Sequence, residues 1–339
     1  MSAHTIADLG ERALIDRLRG RISLPSWVVV GPGDDAAVVA PPRGGLDVLT
    51  VDALVEGVHF DRRFVPAHAI GHRALAVNLS DLAAMGAEPR AALLSLALPA
   101  TLTVADFDAL LDGFLTLANR HRTTLIGGNI TRTDGPLVVD VTALGSVRPR
   151  RILSRQGARA GDDIYVTGLL GAAAIGLRLL RAAADDATGD VDATVWTSAP
   201  ERYLQPEPRV RAGQLLGRNR AASSCMDLSD GLADGLQQIA RASGVGMSID
   251  ASLIPQDADV TRWHETHGGD PIETLVAGGD DYELLFTVRP SQRGRLRTVT
   301  RQLGTLRVTR IGVVTKDTAL VVRTSDGTRP LPHGYEHYR

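Results

Sequence analysis

The sequence contains very little of two residues that many enzyme classes need, cysteine and lysine. Cys225 is the single cysteine and Lys316 the single lysine among 339 residues. One cysteine excludes an internal disulfide and a zinc site built from cysteines. One lysine excludes a Walker A loop, which needs Gly-x-x-x-x-Gly-Lys-[Ser/Thr], and a protein-kinase ATP site, which needs a strand lysine. Any phosphate must therefore be bound by arginines, backbone N–H groups or metal ions.

Long apolar runs and an excess of charge of one sign are also absent. Because no stretch of about 18 uncharged apolar residues occurs, we expect neither a membrane span nor an export signal. The formal net charge of −2 gives no electrostatic footprint for nucleic acid or an anionic membrane. No Gly-x-Ser-x-Gly elbow supports a hydrolytic triad. A cytoplasmic location is the resulting expectation.

The length and composition predict a globular protein of two domains. The 339 residues, 44% hydrophobic and 22% charged, exceed the usual size of one core. Strands and helices alternate up to about residue 148, which is typical of an α/β domain, and a mixed α+β half follows. The arginine-rich stretch 148–162 is interpreted as the connection between the two domains. Its arginines favour a solvated surface, although one could reach a phosphate. We predict domains at 1–148 and 149–339.

Periodicity and capping signals predict the main elements. We expect helices over 5–20, 69–86 and 103–120, the last with Thr103 and Asp106 as a capping pair. We also expect a buried strand over 36–39 and another that ends in Asp52. A short strand is expected to lead to Gly128, and residues 182–206, which are polar and small, read as a long connection or mobile loop.

Asp81 is the one charged residue between Ala74 and Ala87. The apolar residues around it recur at three and four positions and predict a helix packed on a core: Leu75, Leu79, Leu82 and Met85. Desolvating an ionised carboxylate costs several kcal/mol unless it is paired, hydrogen-bonded or bound to a metal. Asp81 therefore either bonds to its own helix through Ser80 and Asn78, or ligates a metal ion.

Other acids stand in similar settings, beside apolar strands or at a helix start. They are Asp34, Asp35, Asp52, Asp227, Asp230, Asp280 and Asp281. Solvated Gly-Asp turns and helix caps would also explain them. Gathered in space, five of them would repel strongly without cations: Asp35, Asp52, Asp81, Asp227 and Asp230. Several carboxylates without a His or Cys cluster suggest two or more Mg²⁺ ions on a polyphosphate. Phosphoryl transfer at such a site needs no nucleophilic side chain.

Six motifs occur in fixed order along nearly the whole chain. They are GPGDDAAVV, TVDALVEGVHF, AVNLSDLAAMGAEP, LIGGN, MDLSDGL and GGDDYELLF, followed by a closing GYEHY. Together they resemble the thiamine-monophosphate kinase family of the aminoimidazole ribonucleotide synthetase-like superfamily. The resemblance implies a two-domain synthetase-like fold and a homodimer, with the N-terminal strands of two subunits forming a shared barrel. It also implies transfer of the γ-phosphate of ATP onto thiamine monophosphate, giving thiamine diphosphate and ADP.

The resemblance also implies roles for individual residues, assigned by motif position. Magnesium ligands would be Asp35, Thr50, Val51, Asp52, Asp81, Asn129, Asp227 and Asp230, with Val51 contributing its backbone carbonyl. ATP would contact Gly128, Asn129, Arg155, Ser229 and His121. Thiamine monophosphate would contact His59, Asp280 and Tyr335, whose aromatic face suits a cationic thiazolium ring. No catalytic side chain is implied, since the transfer is direct and metal-assisted.

Three positions depart from the family pattern. Asn129 replaces an aspartate and removes a negative charge, Asp280 stands where glutamate is common, and His121 stands where an aromatic residue is expected. Two other classes therefore stay open. One is a sister enzyme acting on another phosphate or formyl-type substrate, such as a purine-pathway or selenophosphate synthetase. The other is a non-catalytic nucleotide-binding protein in which Asn129 marks a decayed ion site.

Overall fold

The computed structural model describes residues 4–185, 196, 198–332 and 334, and the chain divides into two compact units. The first comprises Met1–Leu82 and Glu88–Arg148, and the second Ala83–Ala87 and Pro149–Arg339. Each unit has its own large sheet. Among the described residues, no helix combines the length and apolar character needed to cross a membrane. The domain bounds at 1–148 and 149–339 and the binding of ATP and magnesium by the first domain stay predictions.

The described part of the first unit contains four helices and six strands. The helices are α1 (Ile6–Leu9), α2 (Glu11–Arg19), α3 (Ala67–Ala84) and α4 (Val104–Arg120). The strands are β1 (Val28–Val30), β2 (Val38–Val39), β3 (Leu46–Val55), β4 (Glu88–Pro99), β5 (Thr124–Thr133) and β6 (Val138–Val147). Four strands form a sheet of order β3-β6-β4-β5, antiparallel except for the β4–β5 pair. Strands β1 and β2 pair separately and antiparallel.

The four-stranded sheet is covered on one face and exposed on the other. Along β6, buried residues alternate strictly with half-buried ones, as expected when one face carries the core. Along β3, Leu49 and Val51 are 68% and 60% exposed, while Leu54 is buried. The expectation of a buried strand ending in Asp52 is therefore wrong, because Asp52 lies within β3. Within the described ranges the sheet is open, and no closed barrel forms in one chain.

Several predicted boundaries in the first unit move. The helix expected over 5–20 is divided at Gly10, whose φ of 77° is not helical. The strand expected before Gly128 instead runs through that residue as β5. Of the buried strand expected over residues 36–39, only Val38–Val39 is extended. The capping signal at α4 is confirmed, because Thr103 Oγ1 accepts a hydrogen bond from the backbone N–H of Asp106 at 3.0 Å.

The described part of the second unit contains seven α-helices, three short 3₁₀ helices and seven strands. The α-helices are α5 (Ala172–Asp185), α6 (Ala199–Leu204), α7 (Val210–Asn219), α8 (Leu232–Ser243), α9 (Ala258–His267), α10 (Pro271–Ala277) and α11 (Arg293–Leu303). The strands are β7 (Asp163–Thr167), β8 (Ser224–Asp227), β9 (Gly246–Asp250), β10 (Leu284–Val288), β11 (Val308–Thr315), β12 (Leu320–Thr324) and β13 (Gly327–Pro330). They form one sheet of order β13-β12-β9-β11-β7-β10-β8, antiparallel except between β12 and β9.

The core of the second unit lies around β7 and β10. Strand β10 is buried at all five positions, and apolar residues of α5 and α8 pack against it and its neighbours. A strand buried on both faces carries no polar alternation, which is why LLFTV is continuously apolar or neutral.

The long connection expected over 182–206 is wrong at both ends. Helix α5 extends through Asp185, and α6 occupies Ala199–Leu204. Residues 186–195 and 197 lie outside the described residues. Helices α7, α9 and α10 and strand β13 were not predicted.

Helices α3 and α4 cross with backbone against backbone. A Cβ atom on Gly71 would lie 1.9 Å from the carbonyl oxygen of Leu110, and one on Gly113 would lie 1.9 Å from that of His68. Only glycine allows both approaches, since neither carbonyl can move without displacing its helix. This crossing fixes the position of α3, the helix that carries Asp81.

We predict that Gly71→Ala destabilises the first unit by about 3 kcal/mol, because the added methyl group overpacks a contact between two helix backbones. Thermal denaturation followed by circular dichroism should show the lowest-temperature transition moving down. Gly294→Ala in α11 is the matched control, since no atom lies within 4 Å of its added Cβ. Equal melting curves for the two variants would contradict the close crossing.

Candidate active site

Asp81 and Thr50 meet in the first unit. Thr50 Oγ1 donates a short hydrogen bond to Asp81 Oδ2, so β3 and α3 place these groups side by side. Asp52 lies two residues further along β3 and shares the face of Thr50. The intervening Val51 turns its side chain to the exposed face, so only its backbone could serve the same side. Thr50 and Asp52 thus lie on the face of β3 that meets Asp81.

Asp35 lies on the exposed segment between β1 and β2. Its backbone N–H donates to Asp34 Oδ1 at 2.9 Å. The β1–β2 pair that flanks this segment is held by Arg90, whose Nη2 donates to the Ala40 carbonyl at 2.9 Å and whose guanidinium lies 4.7 Å from the centre of the Trp27 ring. A cation over an indole face is favourable. Arg90 therefore anchors the β1–β2 pair to β4.

Asn129 lies on the other face of the sheet. Asn129 on β5 pairs with Ser95 on β4. Ser95 in turn pairs with Asp140 on β6, and Asp140 pairs with Ala53 on β3. Paired residues share a face, and Ala53 alternates with Asp52. The structure of one chain therefore does not bring the Asn129 side chain together with those of Thr50 and Asp52.

Gly128 and His121 flank this edge. A Cβ on Gly128 would lie 1.9 Å from the Leu94 carbonyl oxygen, so β5 tolerates no side chain there. His121 is the C-cap residue of α4, and its backbone N–H donates to the Leu117 carbonyl at 3.1 Å. Gly128 and His121, both predicted to contact ATP, thus also contribute to the local structure of β5 and α4.

His59 has a fixed orientation in the loop after β3. The backbone N–H of Val55 donates to His59 Nδ1 at 3.1 Å. Because Nδ1 accepts, the neutral ring carries its proton on Nε2. The Nε2 atom is thus a hydrogen-bond donor at the end of β3.

In the second unit the structure brings two of the sequence motifs together. Asp227 is the buried last residue of β8, and Ser229 and Asp230 follow before α8. Ser229 Oγ donates to Asp230 Oδ2 at 3.3 Å, and the Ser229 carbonyl accepts from the backbone N–H of Asp280 at 2.7 Å. A Cβ on Gly334 would lie 3.1 Å from the Asp230 carbonyl oxygen, so the last described residue passes beside this turn. Tyr335 lies outside the described residues.

The loop 278–283 has an unusual backbone. Asp280 and Tyr282 have φ angles of 67° and 50°, in the left-handed region. Each costs about 1–2 kcal/mol for a residue with a Cβ. Backbone hydrogen bonds hold the loop: Tyr282 N–H donates to the Leu228 carbonyl, and Leu228 N–H to the Glu283 carbonyl, each at 2.9 Å.

Glu283 is a buried carboxylate that sequence reasoning missed. It is 0% exposed and receives hydrogen bonds from Thr167 Oγ1 at 2.7 Å, Arg202 Nη2 at 2.9 Å and Arg209 Nε at 2.6 Å. A Cβ on Gly168 would lie 1.9 Å from Glu283 Oε1, so the carboxylate also requires a glycine beside it. The signal was available, since Glu283 begins an apolar run as Asp81 lies within one.

Asp281 carries an altered pKa. Its Oδ2 accepts a hydrogen bond from the backbone N–H of Gly171, just before α5, at 2.8 Å. Burial raises the pKa of Asp281 from 3.8 to about 7, and the negative charge of Glu283 adds to the rise. The backbone N–H groups of Gly171 and Ala173 and the charge of Arg202 oppose it.

The second unit also contains the predicted ATP contact Arg155 and a separate pocket. Arg155 is exposed and donates to the side-chain oxygen of Gln238 on α8. A pocket of about 360 Å³ borders the loop 278–283. Its lining residues are Arg178, Glu273, Thr274, Ala277, Gly278 and Pro332.

Among the described residues, no group of three or more His, Cys, Asp or Glu side chains is placed to hold a metal ion. Of the predicted ligands, Asp81 belongs to the first unit, and Asp227 and Asp230 belong to the second.

Comparison with known proteins identifies a protein family that matches both halves of the chain. Residues 33–147 match the model of AIR synthase related protein, N-terminal domain, and residues 159–325 match the C-terminal domain of the same family. The chain is 39% identical over 335 residues to thiamine-monophosphate kinase of Escherichia coli, covering 97% of this chain and 98% of the relative. It belongs to the thiamine-monophosphate kinase family.

Solved structures of this kinase family share the fold. The crystal structure of thiamine-monophosphate kinase from Stenotrophomonas maltophilia aligns with a TM-score of 0.81 and 41% identity over 93% of this chain and 96% of that one. AaThiL, complexed with AMPPCP and TMP, aligns with a TM-score of 0.75 and 32% identity over 98% of both chains. The kinase-family fold therefore extends through both units.

We predict that the pH dependence of stability contains a contribution from Asp281. Because its pKa is raised to about 7 in the folded chain, the folded state binds a proton more tightly than the unfolded state between about pH 4 and 7. Stability from this group is therefore present at low pH and is lost as the pH rises through 7. Asp281→Asn should remove this loss. The melting temperature of the variant minus that of the wild type should therefore increase from pH 4 to pH 8. The exposed Asp326→Asn should run parallel to the wild type, and parallel curves for Asp281→Asn would contradict the assignment.

Proposed function

We propose that the chain phosphorylates thiamine monophosphate with ATP, giving thiamine diphosphate and ADP. The observation that carries the proposal is the similarity over 98% of the chain to a protein solved with AMPPCP and TMP. The absence of a P-loop lysine agrees with a kinase that binds phosphates through other groups. The cytoplasmic location stays a prediction.

The oxygen atoms around Asp81 fit magnesium. Magnesium binds hard oxygen ligands, and the donor set on this face is a carboxylate and a hydroxyl in contact, with a second carboxylate on the same strand. We propose that Asp35, Thr50, Val51, Asp52 and Asp81 serve from the first unit, and Asp227 and Asp230 from the second. Several bound Mg²⁺ ions would neutralise charge on the transferring phosphoryl group. Asn129 supplies a neutral oxygen and stays a proposed ligand.

The substrate contacts are proposed from both units. Gly128, Asn129, His121, Arg155 and Ser229 are proposed to bind ATP. The Leu94 carbonyl already requires glycine at 128, and the lack of a side chain there also leaves the backbone of β5 open to the close approach of a ligand. His59, with a donor at Nε2, Asp280 and Tyr335 are proposed to bind thiamine monophosphate. Direct transfer then needs only that the two phosphates be held in line, so no side chain acts as a nucleophile.

The test of this function is product analysis with the purified full chain. Incubated with ATP, Mg²⁺ and thiamine monophosphate, it should form thiamine diphosphate and ADP in equal amounts, separated by chromatography. ADP without thiamine diphosphate would overturn the substrate assignment, and a panel of other phosphate acceptors would then identify a sister activity. No ADP from any acceptor would favour a nucleotide-binding protein without catalysis.

The same assay checks the assignment of Asp81. Asp81→Asn keeps the size of the side chain but removes the charge of a proposed ligand, so we expect turnover to fall at least about 100-fold while the melting temperature changes little. Asp326→Asn, in the exposed turn after β12, is the control. Normal turnover in Asp81→Asn would eliminate its role as a metal ligand.

A homodimer is proposed from the exposed face of the first sheet. Leu49, Val51 and Leu93 lie on this face and are 68%, 60% and 38% exposed. Their register through Leu144 and Thr142 of β6 places them side by side. A contiguous exposed apolar patch is typical of an interaction surface. We propose that the sheets of two copies pack there and together form the barrel that one chain does not close.

We predict that Leu49→Asp converts the dimer to a monomer, because a buried unpaired carboxylate would oppose association. Sedimentation velocity should give twice the 36.0 kDa chain mass for the wild type and 36.0 kDa for the variant. Leu253→Asp, at a residue 41% exposed in the second unit, should stay dimeric. A wild-type monomer, or a dimeric Leu49→Asp, would refute this interface.

A further inference from the structure

The loop 278–283 contains a side-chain contact that gives Tyr282 a place in the site. Tyr282 Oη donates a hydrogen bond to Asp280 Oδ1 at 3.1 Å. Tyr282 is 7% exposed, whereas Asp280 is half-buried. A buried phenol therefore lies against a carboxylate that faces partly into solvent.

The backbone of the loop creates this contact. Asp280 and Tyr282 are both left-handed, with Asp281 between them. The Asp281 side chain accepts from the backbone N–H of Gly171 at the start of α5, while the side chains on either side of it meet each other. Left-handed residues with a Cβ are uncommon and cluster where a site over-determines the backbone. Two of them in three residues serve here to bring the phenol onto the carboxylate.

The donor is rigidly held. The backbone N–H of Tyr282 donates to the Leu228 carbonyl at 2.9 Å, and that of Asp280 donates to the Ser229 carbonyl at 2.7 Å. The buried ring leaves Oη little freedom, whereas an aspartate has two side-chain torsions to fix. A hydrogen bond from a fixed donor restricts the carboxylate to the rotamers that keep it.

We propose that Tyr282 is a positioning residue for thiamine monophosphate, holding the Asp280 carboxylate in the orientation that receives the substrate. This rests on the proposed function and on the substrate-binding role of Asp280. Tyr282 contacts the carboxylate through its hydroxyl. The proposed effect of this hydroxyl is therefore on substrate binding and passes through Asp280.

The experiment is steady-state kinetics of Tyr282→Phe, which removes the hydroxyl and keeps the ring. The KM for thiamine monophosphate should rise about five- to tenfold, in keeping with the net contribution of one typical hydrogen bond. The kcat and the KM for ATP should stay unchanged within error. Tyr165→Phe is the matched control: its ring stacks on Phe286 with centroids 5.6 Å apart in the same unit, and none of its constants should change.

A double-mutant cycle separates positioning from a general structural role. If Tyr282 acts through Asp280, Tyr282→Phe should have no further effect on the KM for thiamine monophosphate in an Asp280→Ala background. Asp280→Asn keeps an oxygen acceptor, so the removal of the hydroxyl should still raise the KM in that background. The melting temperature of each variant, measured in parallel, reports folding independently of activity.

Each other outcome overturns the proposal. An equal rise in KM in the wild-type and Asp280→Ala backgrounds would place the effect of the hydroxyl elsewhere. An unchanged KM in Tyr282→Phe would remove the role of the hydroxyl, and an unchanged KM in Asp280→Ala would remove that of the carboxylate, while wild-type turnover leaves the kinase activity standing. A folded wild-type chain that forms no thiamine diphosphate would overturn the proposed function and this role with it.

Discussion

The buried charge of Glu283 is the interaction on which the second unit depends most. A carboxylate with 0% exposure must be fully compensated, and here two guanidinium groups and a threonine hydroxyl do so. Removing one partner of a buried ion pair costs about 3–5 kcal/mol, because the other charge is left in a medium that cannot solvate it. Loss of any one of these partners would therefore destabilise the whole group around Glu283. Since Arg202 lies on α6, Arg209 just before α7 and Thr167 on β7, one carboxylate fixes three separate segments.

This constraint also determines the geometry of the site loop. Glu283 is the residue after Tyr282, and its backbone carbonyl accepts from Leu228 beside Ser229. The buried end of the loop is thus immobile, and the left-handed residues before it turn the chain back toward the turn that carries Asp230. Strain in the loop persists because the contacts on both sides over-determine its path.

Much of the fold follows from local sequence, and the exceptions have physical reasons. Helix α4 was predictable because its cap and its apolar period agree. The extent of β3 was not, since Leu49 and Val51 are apolar on a face that one chain leaves exposed, and a strand that is apolar on both faces reads as buried. The division at Gly10 depends on a backbone angle that glycine permits without requiring it.

Some residues of the candidate site were also predictable from local sequence, and others were not. A lone acid in an apolar run was enough to select Asp81, and Thr50 is the partner that such an acid needs. The partners of Glu283 could not be found by spacing, because they lie far away in the sequence. The face on which Asn129 lies depends on a register shift between β4 and β5 next to Leu93, and a shift of one residue turns every side chain after it to the other face.

The close crossing of α3 and α4 at two glycines restricts how α3 can move. With the backbones in contact at Gly71 and Gly113, α3 cannot slide along α4, so the motion left to it is rotation about that point. Asp81 is ten residues further along, about 15 Å at the rise of an α-helix. A tilt of about 4° would therefore displace its carboxylate by about 1 Å, a distance large enough to make or break the alignment that catalysis requires. The backbone contact between α3 and α4 at these two glycines thus acts as the pivot for the Asp81 carboxylate.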